Sequence, residues 1–432
     1  RTEAGHVLVR DMGFKKDMRN ATGPLIEQGT DPLEVVTEFC RSHDIEVFFS
    51  MRMNDTHDAA HRPDKPYPLF PPLKEKHPEY LIGSRDDRPK CGKWSAVDYT
   101  RPEIRDLVYK FFHEVCRNYD VDGIEMDFFR HLHYFKRVSM GGTATREERD
   151  MMTELIHRVR QMTEREGQRR GRPFLMAVRV PDSVEYCRDM GLDVERWLEE
   201  GLVDILVGSG YFRLNRWKYL VKLGHRHGAK VYPCLSESRI RNDVDPFGRN
   251  SRETYRARAS NVWASGADGV YMFNFFDADS PLLREIGDPE ILAGLDKTYF
   301  VTVRNDGGYS NPSHWLAGGS GYMNVPVLSP KDPLKVMPAE HEEIEMVIGD
   351  GLAEAREESP RPRIACYLRV ATRARLSVQL NGKDLGQGSR KGDWLRFPLD
   401  ASLLSNGANR FGLSAGQDVT VSDLVVQVGS GS

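Results

Sequence analysis

The sequence lacks most of the features that announce a specialised chain. Its 432 residues hold six cysteines, Cys40, Cys91, Cys116, Cys187, Cys234 and Cys366, scattered with no CxxC pair. No Cys-to-His spacing fits a zinc module, so buried free thiols are expected rather than a disulfide framework. An excess of one charge is also missing. Lys plus Arg number 61 and Asp plus Glu 64, a net charge of −3, which excludes a generic nucleic-acid-binding polycation. No apolar run approaches the roughly 20 residues of a membrane-spanning helix. The first residues, Arg-Thr-Glu-Ala-Gly-His, do not read as a signal peptide. There is no GxGxxG after the first strand, no GxxxxGK[ST], no heptad repeat and no low-complexity tract. Neither a nucleotide cofactor, a resident metal, a nucleic-acid partner nor a membrane partner is therefore expected, and the oligomeric state is left open.

What is present is a repeated theme. Hydrophobic residues make up 39% of the chain, enough for a sizeable core. Between residues 33 and 300 an amphipathic helix is followed six times by a short β-rich apolar run. The helices are expected at 33–40, 102–118, 151–170, 193–200, 215–227 and 253–265, and the strands at 45–51, 123–127, 174–180, 204–208, 230–235 and 269–275. Apolar strands alternating with helices indicate a parallel sheet covered by those helices. The expected fold is a (β/α)₈ TIM barrel. Closure needs eight strands, and His6–Arg10 is the one further candidate, so at least one strand has to come from elsewhere. Near residue 300 the character changes to short strands with turn signals such as Asn381-Gly382 and Asn406-Gly407, which fits a C-terminal β-sandwich. The expected division is a barrel catalytic domain over 1–315 and an accessory sandwich over 316–432.

In such a barrel the reactive groups gather where strands end and βα loops begin. Those positions carry Arg52, Asn54, Asp55, His57 and Asp58; Glu125, Asp127, Arg130, His131 and His133; Arg179 and Asp182; Tyr211; Glu237 and Arg239; and Asn274. Glu125 and Asp127 are two apart and share one strand face. Inward carboxylates face heavy desolvation unless they pair with cations or serve chemistry. Glycoside hydrolysis needs two carboxyl groups flanking the scissile bond. Asp127 and Glu237 end strands three units apart and are the expected catalytic pair, with Asp127 as general acid/base and Glu237 as nucleophile or second carboxylate. Arg52, Asn54, Asp55, His57, Glu125, Arg130, His131, Arg179, Tyr211, Arg239 and Asn274 are expected to bind substrate. The arginines either grip an anionic sugar, a uronic acid or a sulfated one, or balance the inward carboxylates. Alanine at Asp127 is expected to remove activity and leave the thermal midpoint unchanged.

The segment Asn118-Tyr119-Asp120-Val121-Asp122-Gly123-Ile124-Glu125-Met126-Asp127-Phe128 resembles the fourth-strand region of bacterial family 10-like glycosylhydrolases. Asp31-Pro32-Leu33 to Phe49 resembles their third unit, and Gly266-Ala267-Asp268-Gly269-Val270-Tyr271 their last strand entry. Chitinase-type barrels carry DGxDxDxE at the fourth strand, where this chain has Glu125, Asp127 and Phe129. The resemblance implies a secreted or periplasmic glycosidase acting on a poly- or oligosaccharide. Two other classes remain open: a metal-dependent hydrolase or deacetylase using His57 with Asp55, Asp58 and Asp127, and a non-catalytic glycan-binding protein.

Overall fold

The computed structural model describes residues 2, 4–5, 20–236, 246–302, 308–352, 362–371 and 373–429. The chain forms two compact units. The first comprises Arg1–Val207, Leu223–Lys230 and Pro312–Tyr322; the second comprises Gly208–Lys222, Val231–Asn311 and Met323–Ser432.

The first unit is built on parallel strands in sequence order, β1 (Phe48–Arg52), β2 (Gly123–Asp127), β3 (Leu175–Val180) and β4 (Ile205–Gly208). The helix before β2 spans Pro102–Asn118, with proline in its first turn, where a missing N–H costs nothing. It buries Ile104, Val108, Phe112, Val115 and Cys116, one stripe of its surface. The helix before β3, Arg146–Arg170, starts on a capping box between Thr145 and Glu148 and ends at left-handed Gly171. At the start of β2, Asp122 accepts the Val47 N–H at 2.8 Å, Arg41 at 2.7 Å and Arg172 at 2.6 Å. Burial would raise its carboxyl pKa, but these donors hold it below its usual value. Gly123 follows because a Cβ there would lie 2.4 Å from the Phe48 ring and 2.6 Å from the Leu175 carbonyl oxygen. The Asp-Gly of the sequence motif is thus the staple at the entry of β2.

The second unit holds the parallel pair β5 (Lys230–Ser236) and β6 (Tyr271–Phe273). It also holds β7 (Lys297–Phe300), β8 (Leu334–Val336), β9 (His341–Ile348), β10 (Arg363–Val370), β11 (Leu376–Leu380), β12 (Lys383–Asp384), β13 (Ser389–Lys391), β14 (Trp394–Leu399), β15 (Gly407–Ala415) and β16 (Val419–Gly429). These make two antiparallel sheets, ordered β13-β14-β10-β16-β7, with β8 also on β16, and β12-β11-β15-β9. Ile344, Met346, Val378, Phe411 and Leu413 of one sheet and Cys366, Leu368, Phe397, Leu424 and Val426 of the other share one core. Alternate residues point inward, as a half-buried antiparallel sheet requires.

Six parallel strands are present among the described residues, two short of a closed eight-stranded barrel. His6–Arg10, the expected additional strand, lies outside the described residues. After β6 no further parallel strand is found among the described residues; β7 pairs antiparallel with β16. The described residues thus show a parallel, barrel-type α/β sheet of six strands together with antiparallel sheets, and not a complete eight-stranded barrel. All six cysteines are free thiols, and five are buried. Among the described residues no helix is long and apolar enough to cross a membrane.

Replacing Thr145 by alanine removes one arm of the capping box and should cost about 1 kcal/mol. A fall of about 2–4 °C in thermal midpoint is expected, measured by differential scanning calorimetry.

Candidate active site at the ends of β1 and β2

The parallel register lines up side chains from neighbouring strands. Ser50, Glu125 and Ala177 form one row, and Arg52, Asp127 and Arg179 the next. The shared face of Glu125 and Asp127 is therefore realised, and each carboxylate finds a partner across the strands. Ser50 Oγ donates to Glu125 Oε1 at 2.5 Å. Arg179 grips Asp127 with both prongs, Nε to Oδ1 at 3.0 Å and Nη2 to Oδ2 at 2.7 Å. The Phe129 N–H adds a third donor to Oδ1 at 2.9 Å. The Arg179 side chain is 0% exposed and that of Asp127 5%. A carboxylate receiving three N–H donors is an acceptor at both oxygens and is not placed to deliver a proton.

Arg52 stands in register with Asp127 but pairs with Asp55, at 2.8 Å. Asp55 Oδ1 also accepts the His57 backbone N–H at 2.8 Å and lies 2.6 Å from His57 Nδ1. Burial would raise the Asp55 pKa, but the bonds from His57 and Arg52 hold it well below the usual carboxylate range. With its Nδ1 proton on Asp55, His57 turns Nε2 towards Arg130 Nη2, 3.3 Å away. The tautomer follows from these partners. His131 packs edge-on against His57, centroids 4.8 Å apart, and its Nδ1 accepts the Thr56 N–H at 3.1 Å. Burial pushes the His131 pKa down to about 2, against the pull of Asp55. His133 is equally buried; burial, with help from His314 and Lys93, lowers its pKa to about 3. Its ring packs 5.0 Å from Trp315, and Gly92 passes so close that a Cβ there would lie 1.7 Å from His133 Nε2.

The expected site residues thus divide. Arg52, Asp55, His57, Arg130 and His131 form one cluster in the first unit, with Arg52, Asp55 and His57 part-exposed. Glu125, Asp127 and Arg179 are buried polar partners in the rows described. Asn54 is a loop clamp: Nδ2 donates to the carbonyls of Val97 and His133, and Oδ1 accepts the N–H groups of Val97 and Asp55. That uses all four of its hydrogen-bonding positions. Tyr211 and Asn274 belong to the second unit, Tyr211 buried and Asn274 with a positive φ of 54°. Glu237 and Arg239 lie outside the described residues. Thr56 and Trp315 were missed. Trp315 arrives with Pro312–Tyr322, and nothing in its local sequence marks that return.

The ligand set Asp55, His57, Asp58 and Asp127 is not assembled. Asp58 is held by Lys74 and Ser95, both at 2.6 Å, and Asp127 by Arg179. The cation-sized grouping that does exist is Asp55, His57 and His131, whose ligand atoms lie within 4.8 Å of one another. Its lone pairs already face donors: Arg52 on Asp55, Arg130 on His57 Nε2 and the Thr56 N–H on His131 Nδ1. A divalent cation there would sit beside the guanidinium groups of Arg52 and Arg130 and compete with the Thr56 N–H for His131 Nδ1, which disfavours its binding.

No family model matches the chain, the family 10-like one included, and no curated protein matches it. Solved structures show remote likeness. A glycoside hydrolase family 18 N-acetylglucosaminidase from Paenibacillus barengoltzii is 13% identical over 60% of this chain and 86% of its own, TM-score 0.36. An Anoxybacillus alpha-amylase is 9% identical over 89% and 79%, TM-score 0.35. A type I 3-dehydroquinate dehydratase from Clostridium difficile is 14% identical over 39% and 57%, TM-score 0.27. Likeness at this level does not extend to activity.

The burial of Arg179 overturns the expectation that Asp127 can be truncated without structural cost. Asp127→Ala removes the bidentate carboxylate from a buried guanidinium, which should cost about 3–5 kcal/mol and lower the thermal midpoint by about 10 °C. The buried rings give a second expectation. The unfolded chain takes up their protons near pH 6.5, whereas the folded rings resist down to about 2 and about 3. Their contribution is complete above pH 6.5 and is lost as pH falls, about 2 kcal/mol for each ring between 6.5 and 5. Thermal midpoints from pH 7.5 to 4.5 should fall steeply, and less steeply in His133→Gln.

Proposed function

We propose that this chain is a glycoside hydrolase acting on a poly- or oligosaccharide that carries uronic or sulfated groups. The observation that supports the reading is the cluster at the ends of β1 and β2. There the Asp55–His57 pair lies between the guanidinium groups of Arg52 and Arg130, with Arg52, Asp55 and His57 open to solvent. Guanidinium forks match carboxylate and sulfate oxygens in bidentate fashion. The end of β2 also carries Asp127, one of the two carboxylates that glycoside hydrolysis would require.

In this proposal Asp127 and Glu237 remain the carboxylate pair, with a changed division of labour. Asp127, clasped by Arg179 and the Phe129 N–H, acts as a fixed negative charge beside the developing oxocarbenium ion. Glu237 is the group that exchanges a proton. Residues 1–315 form the catalytic domain and 316–432 the accessory one, and the enzyme works outside the cytoplasm.

The test is release of reducing ends from neutral, uronate-containing and sulfated oligosaccharides. Wild-type protein should cleave an anionic member of the panel. Glu237→Gln should lose activity by about a thousandfold or more with an unchanged midpoint, as expected for loss of an acid/base that makes several kcal/mol of difference in the transition state. Arg52→Met should raise KM on the anionic substrate alone. Binding without turnover would instead identify a glycan-binding protein, and activity abolished by a chelator and restored by a divalent ion would favour the metal-dependent reading.

A further inference from the structure

Among the described residues, the buried cations of the second unit are matched with carboxylates. Arg249 pairs with Asp423, Arg256 with Glu285 at 2.9 Å and Lys297 with Asp350 at 3.1 Å. Arg258, on the helix Arg252–Ala264, breaks this pattern. Its Nη1 is buried and has no hydrogen-bond partner. Its guanidinium lies 5.1 Å from the centre of the Tyr255 ring. Burial lowers its pKa, and the groups that act against this are Tyr255, by charge and by a side-chain hydrogen bond, and Cys234; no carboxylate is among them. Arg258 is part-exposed as a residue, but its Nη1 is out of water with no anion beside it among the described residues, and a buried cationic N–H favours a negative partner.

A cavity of about 120 Å³ lies beside it, and the described residues that line it all belong to the second unit. Arg258, Arg213, Asn261, Tyr211, Trp217 and Phe300 are among its walls, and no Asp or Glu is found among the described residues that line it. Asn261 is three residues beyond Arg258 on the same helix face. Its Nδ2 donates to the Val347 carbonyl at 3.0 Å, while its Oδ1 is buried without a partner. The cavity therefore presents a cationic fork and, one turn away, an acceptor needing an O–H or N–H. Tyr211, Trp217 and Phe300 supply flat apolar surface for a carbon skeleton. For scale, an apolar cavity of about 150 Å³ holds benzene, so the occupant has about half a dozen heavy atoms.

We propose that this cavity is a binding site for a small hydroxycarboxylate, its carboxylate on Arg258 and its hydroxyl donating to Asn261 Oδ1. Tyr211, expected from the sequence to contact substrate, is a wall of this site. The proposal uses none of the residues of the strand-end cluster and stands independently of the glycosidase reading.

The experiment is thermal unfolding and calorimetric titration of the full chain with lactate, propionate, sulfate and phosphate at matched ionic strength. Lactate should raise the midpoint saturably. Propionate, which lacks the hydroxyl, should bind about tenfold more weakly, the worth of one hydrogen bond to a buried acceptor. Arg258→Met should abolish the lactate response and, with no anion present, keep the midpoint close to wild type, because it removes a guanidinium whose Nη1 is buried without a partner. Arg258→Lys, which keeps the charge and loses the fork, should weaken lactate at least tenfold and serves if the methionine variant fails to fold. Asn261→Leu should erase the preference for lactate over propionate. Tighter binding of sulfate or phosphate than lactate would replace the carboxylate by a tetrahedral anion and overturn the hydroxycarboxylate assignment. No saturable response to any of the four, or an equal response in Arg258→Met, would overturn the site itself.

Discussion

A carboxylate on β2 and a guanidinium on β3 stand opposite each other in parallel register, both out of water, joined by two hydrogen bonds. The arrangement of the first unit around the strand ends depends on this pair. Neither member is tolerable alone in a dry interior, so the ends of β2 and β3 are held at one spacing. Arg179 also lies over the Phe129 ring, 5.8 Å from its centre, and Asp127 accepts the Phe129 N–H. The first turn of the chain after β2 is thereby tied to the pair. From there the loop is fixed backbone to side chain: Tyr134 donates to the Phe128 carbonyl, Tyr99 to that of Met53, and Asn54 to those of Val97 and His133. What this scaffold holds out is the cluster of Asp55, His57, Arg52 and Arg130.

Protonation within that cluster follows from solvent access. His131 and His133 are buried, neutral and structural, while His57 is part-exposed and has a carboxylate on one nitrogen and an arginine near the other. The same residue type thus does different work within a few ångströms. Asp58 shows the opposite of Asp55: Lys74 and Ser95 consume it as an interior ion pair, and the open chemistry passes to its neighbour three residues earlier.

The helix and strand pattern was legible because it is local. Apolar spacing along Pro102–Asn118 repeats with the helical period, and Gly123–Asp127 is an unbroken strand between turn signals. The sharing of one face by Glu125 and Asp127 was legible for the same reason, since alternation is a property of the strand itself. The inference that strand ends would be crowded with polar groups also holds for β1 and β2. The number of parallel strands was not legible: the run at Lys297–Phe300 is apolar enough to extend a parallel sheet, and its pairing with β16, more than a hundred residues later, is a matter of tertiary contact.

By itself the sequence determined the approximate place of six helices and six strands and that charge gathers at the ends of β1 and β2, because each of these depends on neighbours within a turn or two. Only the tertiary structure decided which charges meet. Arg179 reaches Asp127 across 52 residues of chain while Arg52, in the same register, turns to Asp55. Trp315 returns from far along the chain to cover His133, and Arg258 ends beside a cavity instead of a carboxylate. Long flexible side chains can satisfy themselves in several ways, and the choice among them is made by desolvation and packing, which exist only once distant segments have come together.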